Sequence, residues 1–406
     1  MHVVIVDTTL TTPPTGGAHT FLVDLCLGLV RKGWTVSVVT QPGPDDALLH
    51  VLERNGVDLQ AHLWRGGHLP EERARLLAHW VSSAETNIYI VSASEDVGWL
   101  ALPLLAPDVV TITVAHNDNG AFYEPLTHYH PFIDVAVGVS AEIHRKIIAG
   151  GTPAERVRQI PYGVASLSKP DIEDRCSQPR DSRLPLKIGY IGRVVQEQKR
   201  VMELVPLATE LKRRGVLFQL HIIGDGSERA QLSETFAASE VADCVEFWGW
   251  QSNERVKDLL RQIDVFLLMS DYEGLPVALL EAMGHGLAPV VSRIASGNTE
   301  LIKNEENGYL VEVGDIEGFV GRLVHLASNP SSLRKIQRAA WDTSQKFDVL
   351  KMVDRYLECF EDARAARFSL DYRRRMGGSY PPMPSCVSRY PFWLRKIKYQ
   401  LRSWSV

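Results

Sequence analysis

The sequence predicts an α/β protein made of two doubly wound domains in tandem, each organised around a parallel sheet. Short apolar runs alternate with longer stretches of helical periodicity, which is the pattern of repeated β-α-β units. A charged, proline-containing stretch without periodicity, residues 165–185, separates two such series. A length of 406 residues agrees with two or three domains.

The first series opens with HVVIVD (2–7), a continuous apolar run typical of a strand buried on both faces. Residues 19–33 then carry apolar side chains at helical spacing, and Gly33 suits the end of that helix. WTVSVVT (34–40) is predicted as the next strand, which completes a β-α-β unit with parallel strands. Further strands are predicted at 87–93, 109–116, 135–140 and 156–164.

The second series has strands predicted at 186–192, 218–226, 245–250, 264–270, 288–292 and 308–313. We therefore predict an N-terminal Rossmann-like domain, an interdomain linker, a C-terminal Rossmann-like domain and a final segment, over residues 1–168, 169–185, 186–345 and 346–406. In open α/β sheets ligands bind beyond the carboxyl ends of the strands. The two domains are therefore expected to face a central cleft.

Charge is unevenly distributed along the chain. Residues 363–406 contain ten Arg and Lys but one acid, Asp371, which gives a net charge of +9 for this segment. Because the whole chain carries −5, residues 1–362 carry −14. A chain that is negative overall is not a general polyanion binder, so no nucleic-acid partner is expected.

Cysteine usage and hydropathy indicate the compartment. The five cysteines are scattered and none lies in a Cys-x-x-Cys pair, which argues against a disulfide framework or a zinc site and agrees with a reducing cytosol. No apolar run reaches the roughly 18 residues of a membrane span. The start, MHVVIVDTTL, lacks the basic region of a signal peptide, so we expect a cytoplasmic protein whose mature form begins at Met1.

Two glycine-containing loops follow predicted strands. Gly16 and Gly17 lie between the first strand and the first helix, where the backbone can approach a ligand closely and the helix start can attract an anion. The second loop, in IIGDGSE (222–228), could wrap around a nucleoside. Either loop could equally be an ordinary tight turn.

Two cations follow the first strand of the second series. Arg193 and Lys199, in IGRVVQEQKR (191–200), come where ligands bind at strand ends. Two fixed cations can bind a diphosphate and stabilise the negative charge that it gains on leaving. The alternative is a pair of solvated surface cations.

Two carboxylates, Glu273 and Glu281, lie in the largely apolar segment SDYEGLPVALLEAMGHGLAPVVS (270–292). Pro276 suits a first helical turn and Gly286 a helix end, which predicts a helix over about 276–285 with Glu273 ahead of it and Glu281 within it. A rise of about 1.5 Å per residue separates the two carboxylates by on the order of 10 Å, the span from the sugar to the ribose of a nucleotide sugar. The alternative is an acid at the helix start and a surface acid within the helix.

In order along the chain, Gly16-Gly17, Arg193 with Lys199, Gly224-Asp225-Gly226, and Glu273 separated by seven residues from Glu281 resemble the retaining glycosyltransferases of family GT4, which have the GT-B fold. The resemblance covers roughly residues 1–345 and is strongest over 188–313. It implies two Rossmann-like domains, an acceptor-binding one followed by a nucleotide-sugar-binding one. It also implies that the final helices return to the first domain.

The resemblance implies a role for each matching residue. Glu273 would contact the donor sugar, Glu281 would bind the ribose hydroxyls, and His116 would lie beside the sugar. Arg193 and Lys199 would bind the diphosphate. Further donor contacts would come from Gly16, Gly17, Gly226, Gln251, Gly274, Leu275 and Pro276, and Asn117 and Asp118 would line the acceptor side.

One residue departs from the resemblance. The family commonly has glycine directly after the lysine, whereas this chain has Arg200. The backbone geometry at Arg200 is therefore in question.

The expected chemistry is hexose transfer from a nucleotide-diphosphate sugar to an acceptor hydroxyl. UDP-glucose is the first expectation for the donor and GDP-mannose the second. No Asp-x-Asp loop lies at a predicted strand end, so we expect no cofactor and no metal, with Arg193, Lys199 and helix dipoles stabilising the diphosphate.

At about 10 Å, Glu273 and Glu281 are too far apart for the nucleophile and acid/base pair of a retaining glycosidase, which are about 5 Å apart. The resemblance implies front-face attack instead.

The end of the chain, RYPFWLRKIKYQLRSWSV (389–406), places aromatic and apolar residues at helical spacing among cations. This pattern is typical of a helix at a membrane interface, which would put the enzyme at the inner face of the membrane. Docking onto the negatively charged body of the same chain, or onto a second subunit, is the alternative.

Two further functions agree with the sequence. One is a nucleotide-sugar 2-epimerase of similar fold, and the other is a non-catalytic glycosyltransferase-like subunit that binds a partner.

Overall fold

The structure is a computed structural model that describes residues 1–8, 16–40, 47–61, 63–64, 68–92, 96–118, 120–177, 180–181, 183–367 and 383. The chain divides into two compact units. The first consists of Met1–Pro14, Ala18–Pro161 and Leu350–Val406, and the second of Thr15–Gly17 and Tyr162–Val349.

The first unit contains a seven-stranded sheet and its flanking helices. Its strands are β1 (His2–Val6), β2 (Thr35–Val39), β3 (Asp58–Gln60), β4 (Ile88–Val91), β5 (Val110–Ala115), β6 (Val135–Gly138) and β7 (Val157–Gln159). Its helices up to β7 are α1 (Gly17–Arg31), α2 (Ala47–Arg54), α3 (Pro70–Ser83), α4 (Val97–Ala101), α5 (Gly120–Tyr129) and α6 (Ala141–Ala149). Short 3-10 helices lie at Leu102–Leu104, His130–Phe132 and Ala154–Arg156.

The second unit contains a six-stranded sheet. Its strands are β8 (Leu186–Ile191), β9 (Phe218–Ile223), β10 (Val245–Gly249), β11 (Val265–Leu268), β12 (Ala288–Ser292) and β13 (Tyr309–Val311). Its helices are α7 (Lys169–Ser177), α8 (Gln196–Lys199), α9 (Leu204–Arg213), α10 (Arg229–Ala237), α11 (Asn253–Leu260), α12 (Val277–Gly284), α13 (Asn298–Leu301), α14 (Ile316–Ser328) and α15 (Pro330–Ser344), with 3-10 turns at Val201–Glu203 and Ala242–Cys244. The last described helix, α16 (Val349–Ala366), groups with the first unit from Leu350 onward.

Both sheets are parallel and doubly wound. The strand order is β3-β2-β1-β4-β5-β6-β7 in the first sheet and β10-β9-β8-β11-β12-β13 in the second. The order of strand addition reverses between β1 and β4 and between β8 and β11, which are the switch points where such folds bind ligands. The predicted fold class is thereby confirmed: each unit is a parallel α/β domain of the Rossmann type.

Helices on both faces explain why the strands are almost wholly apolar. In the second unit, Ile188, Leu220 and Val265 are at most 1% exposed and pack with residues of the surrounding helices in one core. Every predicted strand is present, with ends that shift by a few residues. The short edge strand β3 was missed because Asp58 and Gln60 are two of its three residues.

The expected linker contains a helix. We predicted residues 169–185 to be the interdomain linker; α7 occupies Lys169–Ser177 within that segment and groups with the second unit, whose boundary lies at Tyr162. Ile172 is the buried residue of α7, so its amphipathic pattern is too sparse to see in the sequence. It packs with Leu167 and Trp341, and the indole nitrogen of Trp341 donates to the Leu167 carbonyl at 2.9 Å.

Arg175 anchors α7 more firmly. Its guanidinium donates to the carbonyl oxygens of Arg261 at 2.7 Å and Gly286 at 3.1 Å, and to that of Ile263. Three carbonyls that follow or precede regular elements thereby accept hydrogen bonds from one guanidinium. Residues that were predicted to form the linker are therefore part of the second unit.

The final segment was expected to combine returning helices with a basic aromatic tail. Residues 389–406, which carry the tail prediction, lie outside the described residues. Met383 is described: it is 4% exposed, and its backbone nitrogen donates to the Tyr129 hydroxyl at 3.1 Å within the first unit. Over the described part of the chain, we find no helix that combines the length and apolarity of a membrane span. Cys26, Cys176, Cys244 and Cys359 are free thiols.

Helix α16 is held against α1 by close packing and by an ion pair. An added Cβ at Gly28 on α1 would lie 2.2 Å from Cγ2 of the fully buried Val353 on α16. The Lys32 ammonium and the Asp354 carboxylate are 2.7 Å apart. Close approach of the two helices therefore requires glycine at position 28.

Gly28→Ala tests this packing. Overpacking costs about 1–3 kcal/mol and the better helix propensity of alanine returns about 1 kcal/mol, so we expect a net loss of about 1 kcal/mol in the free energy of unfolding. Denaturant unfolding measures the difference. Gly321→Ala on α14 is the matched control, because a Cβ there meets no atom within 4 Å and alanine should stabilise. Equal stability of the two variants would contradict the close packing of α16.

Candidate functional site

The switch point of the second sheet brings together the loop after β8 and the loop after β11. The first loop carries Arg193 and continues into α8, and the second carries Ser270 and Glu273. Because β8 and β11 are neighbouring parallel strands, their carboxyl ends meet at one edge of the sheet. Residues 70 or more positions apart in sequence are thereby brought into contact.

Glu273 is the centre of this arrangement. Its side chain is 8% exposed, and its Oε1 accepts hydrogen bonds from the Lys199 ammonium and, at 2.6 Å, from the Ser270 hydroxyl. The Lys199 side chain is 12% exposed, so this is a largely buried ion pair. The alternative interpretation of Glu273, an acid that only precedes a helix, does not account for these contacts, whereas a carboxylate held inside a site does.

Gln198 connects both predicted cations to Glu273. Its Oε1 accepts from Arg193 at 2.5 Å, while its Nε2 donates to the Tyr272 carbonyl at 2.9 Å and lies 3.5 Å from Glu273 Oε2. Gln198 is 4% exposed. The structure thus brings Arg193, Lys199 and Glu273 into one network.

Sequence reasoning missed several members of this network. Gln198 directly precedes Lys199, and Ser270 is the polar end of an otherwise apolar strand three residues before Glu273, so both had a visible signal. Tyr190 had none: it is a buried strand residue whose hydroxyl donates to the Arg193 carbonyl at 2.5 Å. Burial, and then the negative charge of Glu273, raise the pKa of the Tyr190 hydroxyl, so it stays a neutral donor.

The helix that contains Glu281 matches its predicted limits closely. It spans Val277–Gly284, with Pro276 in the N-cap position. Six of its eight residues are buried, and Ala278 and Glu281, three residues apart on one face, are the exceptions. Glu281 therefore lies on the accessible strip of α12, one turn beyond its first residues.

The residues ahead of α12 are fixed by backbone contacts. Gly274, Leu275 and Pro276 are all buried, and the Gly274 carbonyl accepts from the Ser296 hydroxyl at 2.8 Å. An added Cβ at Gly297, whose φ is +73°, would lie 2.7 Å from that same carbonyl oxygen. The predicted donor-binding turn is therefore closely packed against Ser296 and Gly297.

Backbone packing explains the Gly224-Asp225-Gly226 loop. A Cβ at Gly224 would lie 1.9 Å from the Gly192 carbonyl oxygen, and one at Gly226 would lie 2.3 Å from the Val194 carbonyl oxygen. The Val194 nitrogen donates to the Asp225 carbonyl at 2.8 Å. The two loops after β8 and β9 thus lie backbone to backbone, which is sufficient reason for both glycines.

Gln251 lies at the carboxyl end of β10, next in the same row of strand ends. Its Nε2 donates to the Trp248 carbonyl at 2.6 Å. The neighbouring Trp250 is 40% exposed. Gly226 and Gln251 therefore share the edge of the sheet that carries Arg193, on the side of β8 away from β11.

In the first unit, His116 follows β5 and is 8% exposed. Its Nε2 lies 2.9 Å from the hydroxyl oxygen of Ser92, which follows the neighbouring strand β4. Burial, and then the electrostatic interaction with nearby His19, lower the pKa of His116 to about 3. The imidazole is therefore neutral at physiological pH and can exchange hydrogen bonds but carries no charge.

Asn117 and Asp118 continue the loop after β5. The Asn117 side-chain oxygen accepts from the Asp118 nitrogen at 2.8 Å. Both Asp118 oxygens lie 2.8 Å from the Lys146 ammonium, and the Tyr123 hydroxyl donates to Asp118 at 2.8 Å. The hydrogen bond with Asp118 raises the pKa of Lys146. Asp118 is thus tied to α6, and Asn117 shapes the turn.

Gly16 and Gly17 group with the second unit although α1 begins at Gly17. Gly16 is exposed, and an added Cβ there would meet no atom within 4 Å. At Gly17 an added Cβ would lie 2.5 Å from Val277 Cγ2, at the start of α12. Gly17 is therefore required by close packing, whereas Gly16 is not.

Metal ligands were not expected. Across the described part of the chain, no group of three or more His, Cys, Asp or Glu side chains could hold a metal ion.

Two family models match the chain one after the other. The model described as Glycosyltransferase Family 4 matches residues 15–166, and the model described as Glycosyl transferases group 1 matches residues 177–342.

Among curated proteins, the chain is 33% identical over 214 residues to the amylovoran biosynthesis glycosyltransferase AmsK of Erwinia amylovora, covering 51% of each chain. It is 32% identical over 202 residues to the lipopolysaccharide 1,6-galactosyltransferase of Salmonella typhimurium, covering 48% of this chain and 53% of the other. The chain thus spans about half the length of these relatives.

Solved structures share the whole fold. Anabaena Alr3699/HepE in complex with UDP-glucose aligns with a TM-score of 0.71 at 16% identity, over 89% of this chain and 99% of the other. The pneumococcal O-GlcNAc transferase GtfA in complex with UDP and GlcNAc aligns with a TM-score of 0.74 at 13% identity, over the same shares. The fold is therefore the GT-B fold.

The buried histidine gives a pH prediction. His116 has a pKa of about 3 in the folded protein, against about 6.5 for an unperturbed histidine, so its contribution to stability is present above pH 6.5 and is lost as the pH falls toward 3. Between pH 7 and pH 5 the loss is about 2 kcal/mol. Urea unfolding of the wild type and of His116→Asn at both pH values measures it: the variant should lose about 2 kcal/mol less than the wild type. His79→Asn, at an exposed position of α3, should behave like the wild type. Identical pH dependence of all three proteins would contradict the burial of a neutral His116.

Proposed function

Because the chain has the GT-B fold and matches two glycosyltransferase domain models in succession, we propose that it is a retaining glycosyltransferase that moves a hexose from a nucleotide-diphosphate sugar to an acceptor hydroxyl. The observation that carries this proposal is the buried Glu273, held by Lys199 and Ser270 at the switch point of the second sheet. A buried carboxylate in that position is a fixed acceptor for a hydroxyl group.

The two oxygens of Glu273 have different surroundings. Oε1 accepts from both Lys199 and Ser270, while Oε2 has a long contact of 3.5 Å with Gln198. We assign Oε2 to a hydroxyl of the donor sugar, since Oε1 already has two strong donors. Lys199 and Ser270 then fix the carboxylate plane in which Oε2 lies.

Arg193 and Lys199 are assigned to the diphosphate. Arg193 is exposed and hydrogen-bonded to Gln198, and Lys199 lies at the end of α8. Both cations can neutralise the charge that develops as the bond from the anomeric carbon to the phosphate oxygen breaks. The backbone N–H groups at the start of α12 add a partial positive charge.

We propose front-face attack for the transfer step. The acceptor oxygen bonds to the anomeric carbon on the face from which the nucleoside diphosphate leaves, so the configuration is retained. The acceptor proton passes to the departing phosphate oxygen, which balances the reaction without a protein base. His116, neutral by its lowered pKa, is assigned to a sugar hydroxyl, and Asn117 and Asp118 to the acceptor side.

A UDP-hexose is the proposed donor, with UDP-glucose first. Structures with this fold have been solved with UDP-glucose and with UDP and GlcNAc, and the relatives include lipopolysaccharide galactosyltransferases. The relatives named for amylovoran and lipopolysaccharide favour a growing glycan of a surface polysaccharide as the acceptor. We place the reaction in the cytoplasm.

The donor is tested by a thermal-shift panel of UDP, GDP, ADP and their hexoses, including UDP-glucose, UDP-galactose and GDP-mannose. We expect UDP and a UDP-hexose to raise the melting temperature, and slow hydrolysis of that donor to follow. Stabilisation without transfer or hydrolysis would indicate a non-catalytic subunit, and an epimerised hexose without acceptor would indicate a 2-epimerase. Stabilisation by GDP-mannose alone would overturn the UDP assignment.

Glu273→Gln should lower turnover at least about 100-fold, because the neutral amide cannot replace the carboxylate at the sugar. Steady-state donor turnover, measured at a temperature where unfolding curves show both proteins folded, gives the result. Asp264→Asn is the matched control: Asp264 pairs with Arg180 at 3.6 Å, with side chains 17% and 7% exposed, at the opposite end of β11. Both variants break a buried ion pair, which costs about 3–5 kcal/mol, but Asp264→Asn should keep turnover. Equal turnover of Glu273→Gln and the wild type would reject the assignment.

Glu281→Gln should raise the donor KM by about tenfold and change kcat less than about threefold, because ribose contacts are the same in the ground and transition states. Kinetics with varied donor concentration separate the two constants. Glu234→Gln, at an exposed position of α10 in the same unit, should change neither. A fall in kcat with an unchanged donor KM would place Glu281 in the chemistry instead of in donor binding.

A further inference from the structure

Arg200 occupies a backbone conformation that favours glycine. Its φ of 51° and ψ of 39° lie in the left-handed region, where it ends α8 and begins the Val201–Glu203 turn. A side chain with Cβ is strained there. The chain nevertheless has arginine at this position, so we looked for contacts of its side chain that offset the strain.

The Arg200 guanidinium joins two carboxylates. Its Nη1 donates to Asp271 Oδ1 at 3.0 Å, and its Nε donates to Glu203 Oε1 at 2.9 Å, with Nη2 on the same oxygen. The Arg200 side chain is 28% exposed, and that of Glu203 is 15% exposed. The planar fork of an arginine suits this geometry, in which one cation reaches two acids at fixed angles.

Asp271 belongs to the loop that carries Glu273. Gln198, Lys199 and Arg200 each hold that loop: the Asp271 nitrogen donates to the Gln198 carbonyl at 2.9 Å, and Lys199 pairs with Glu273. The contact between Arg200 and Asp271 is the outermost of this series. Three successive residues at the end of α8 are thus matched to three successive residues after Ser270.

We propose that Arg200 is a positioning residue that fixes the Glu273 loop through Asp271, in the place where the resembling enzymes have glycine. The proposal rests on the proposed function of Glu273 for its effect on turnover, but the mechanical link between α8 and the loop stands on the contacts alone. The left-handed backbone turns the side chain toward Asp271 and Glu203, and these two ion pairs offset the strain. Without them the loop is held by α8 only through Gln198 and Lys199.

The test compares Arg200→Asn with Arg214→Asn. Asparagine tolerates the left-handed region, so the first variant removes the charge without adding backbone strain. Arg214 is the matched control: its side chain is 29% exposed, it pairs with Glu210 at 2.7 Å and with Glu317, and it ends α9 as Arg200 ends α8. Arg200→Lys serves as the conservative variant, and Asp271→Asn removes the partner.

Two readouts separate the link from the chemistry. Amide hydrogen exchange of a peptide covering residues 270–276 should be faster in Arg200→Asn and Asp271→Asn than in the wild type and Arg214→Asn. Under the proposed function, kcat should fall about tenfold in the first two variants with the donor KM within about twofold, since misplacing a reacting group affects the transition state most. Arg200→Lys should recover part of both effects, and the double variant Arg200→Asn/Asp271→Asn should be no slower than either single variant.

Each outcome bears on a different statement. Unchanged exchange of residues 270–276 in Arg200→Asn overturns the link, whatever the protein catalyses. Faster exchange with unchanged kcat in an active enzyme overturns the positioning role. If the wild type neither binds nor turns over any nucleotide sugar, the proposed function fails, and the exchange data still decide whether Arg200 holds the loop.

Discussion

The candidate site depends on the buried ion pair between Lys199 and Glu273. Removing two charges from water costs several kcal/mol for each ion, and their attraction repays this only with good geometry and additional hydrogen bonds. Ser270 and Gln198 supply those hydrogen bonds, and both are buried. The ion pair therefore requires α8 and the loop after β11 to be held at a fixed separation. The contacts of neighbouring residues hold them there.

Close backbone packing supplies the fixed separation. The loops after β8 and β9 touch through Gly224 and Gly226, and the turn before α12 is closed from behind by Gly297. Glycine is needed at these points because another backbone lies where a Cβ would be. The same residues that look in the sequence like ligand-binding glycines are thus first of all packing residues, and any ligand contact would be made by the backbone that this packing holds rigid.

The division of the chain into units follows from where apolar and polar groups find partners. Helix α7 joins the second unit through Ile172 and through Arg175, which donates to carbonyls of that unit. Helix α16 joins the first unit because Gly28 lets Val353 approach. Helix α7 has little periodicity, since Ile172 is its buried residue, whereas α16 has buried residues at regular helical spacing. In both cases a complementary surface elsewhere in the chain determines which unit the helix joins.

By itself, the sequence determined the two parallel sheets, the limits of α12 and the identity of the central charged residues. Continuous apolar runs can be satisfied only by strands covered on both faces, and Pro276 and Gly286 limit the helix. Only the tertiary structure showed which side chains of the candidate site contact one another. The pairing of Lys199 with Glu273 and the contact of Arg200 with Asp271 join segments about 70 residues apart, and the hydroxyl of Tyr190 reaches the Arg193 carbonyl through the turn that follows β8. Local periodicity carries no information about such contacts, because it reports how a segment is buried and not what it is buried against.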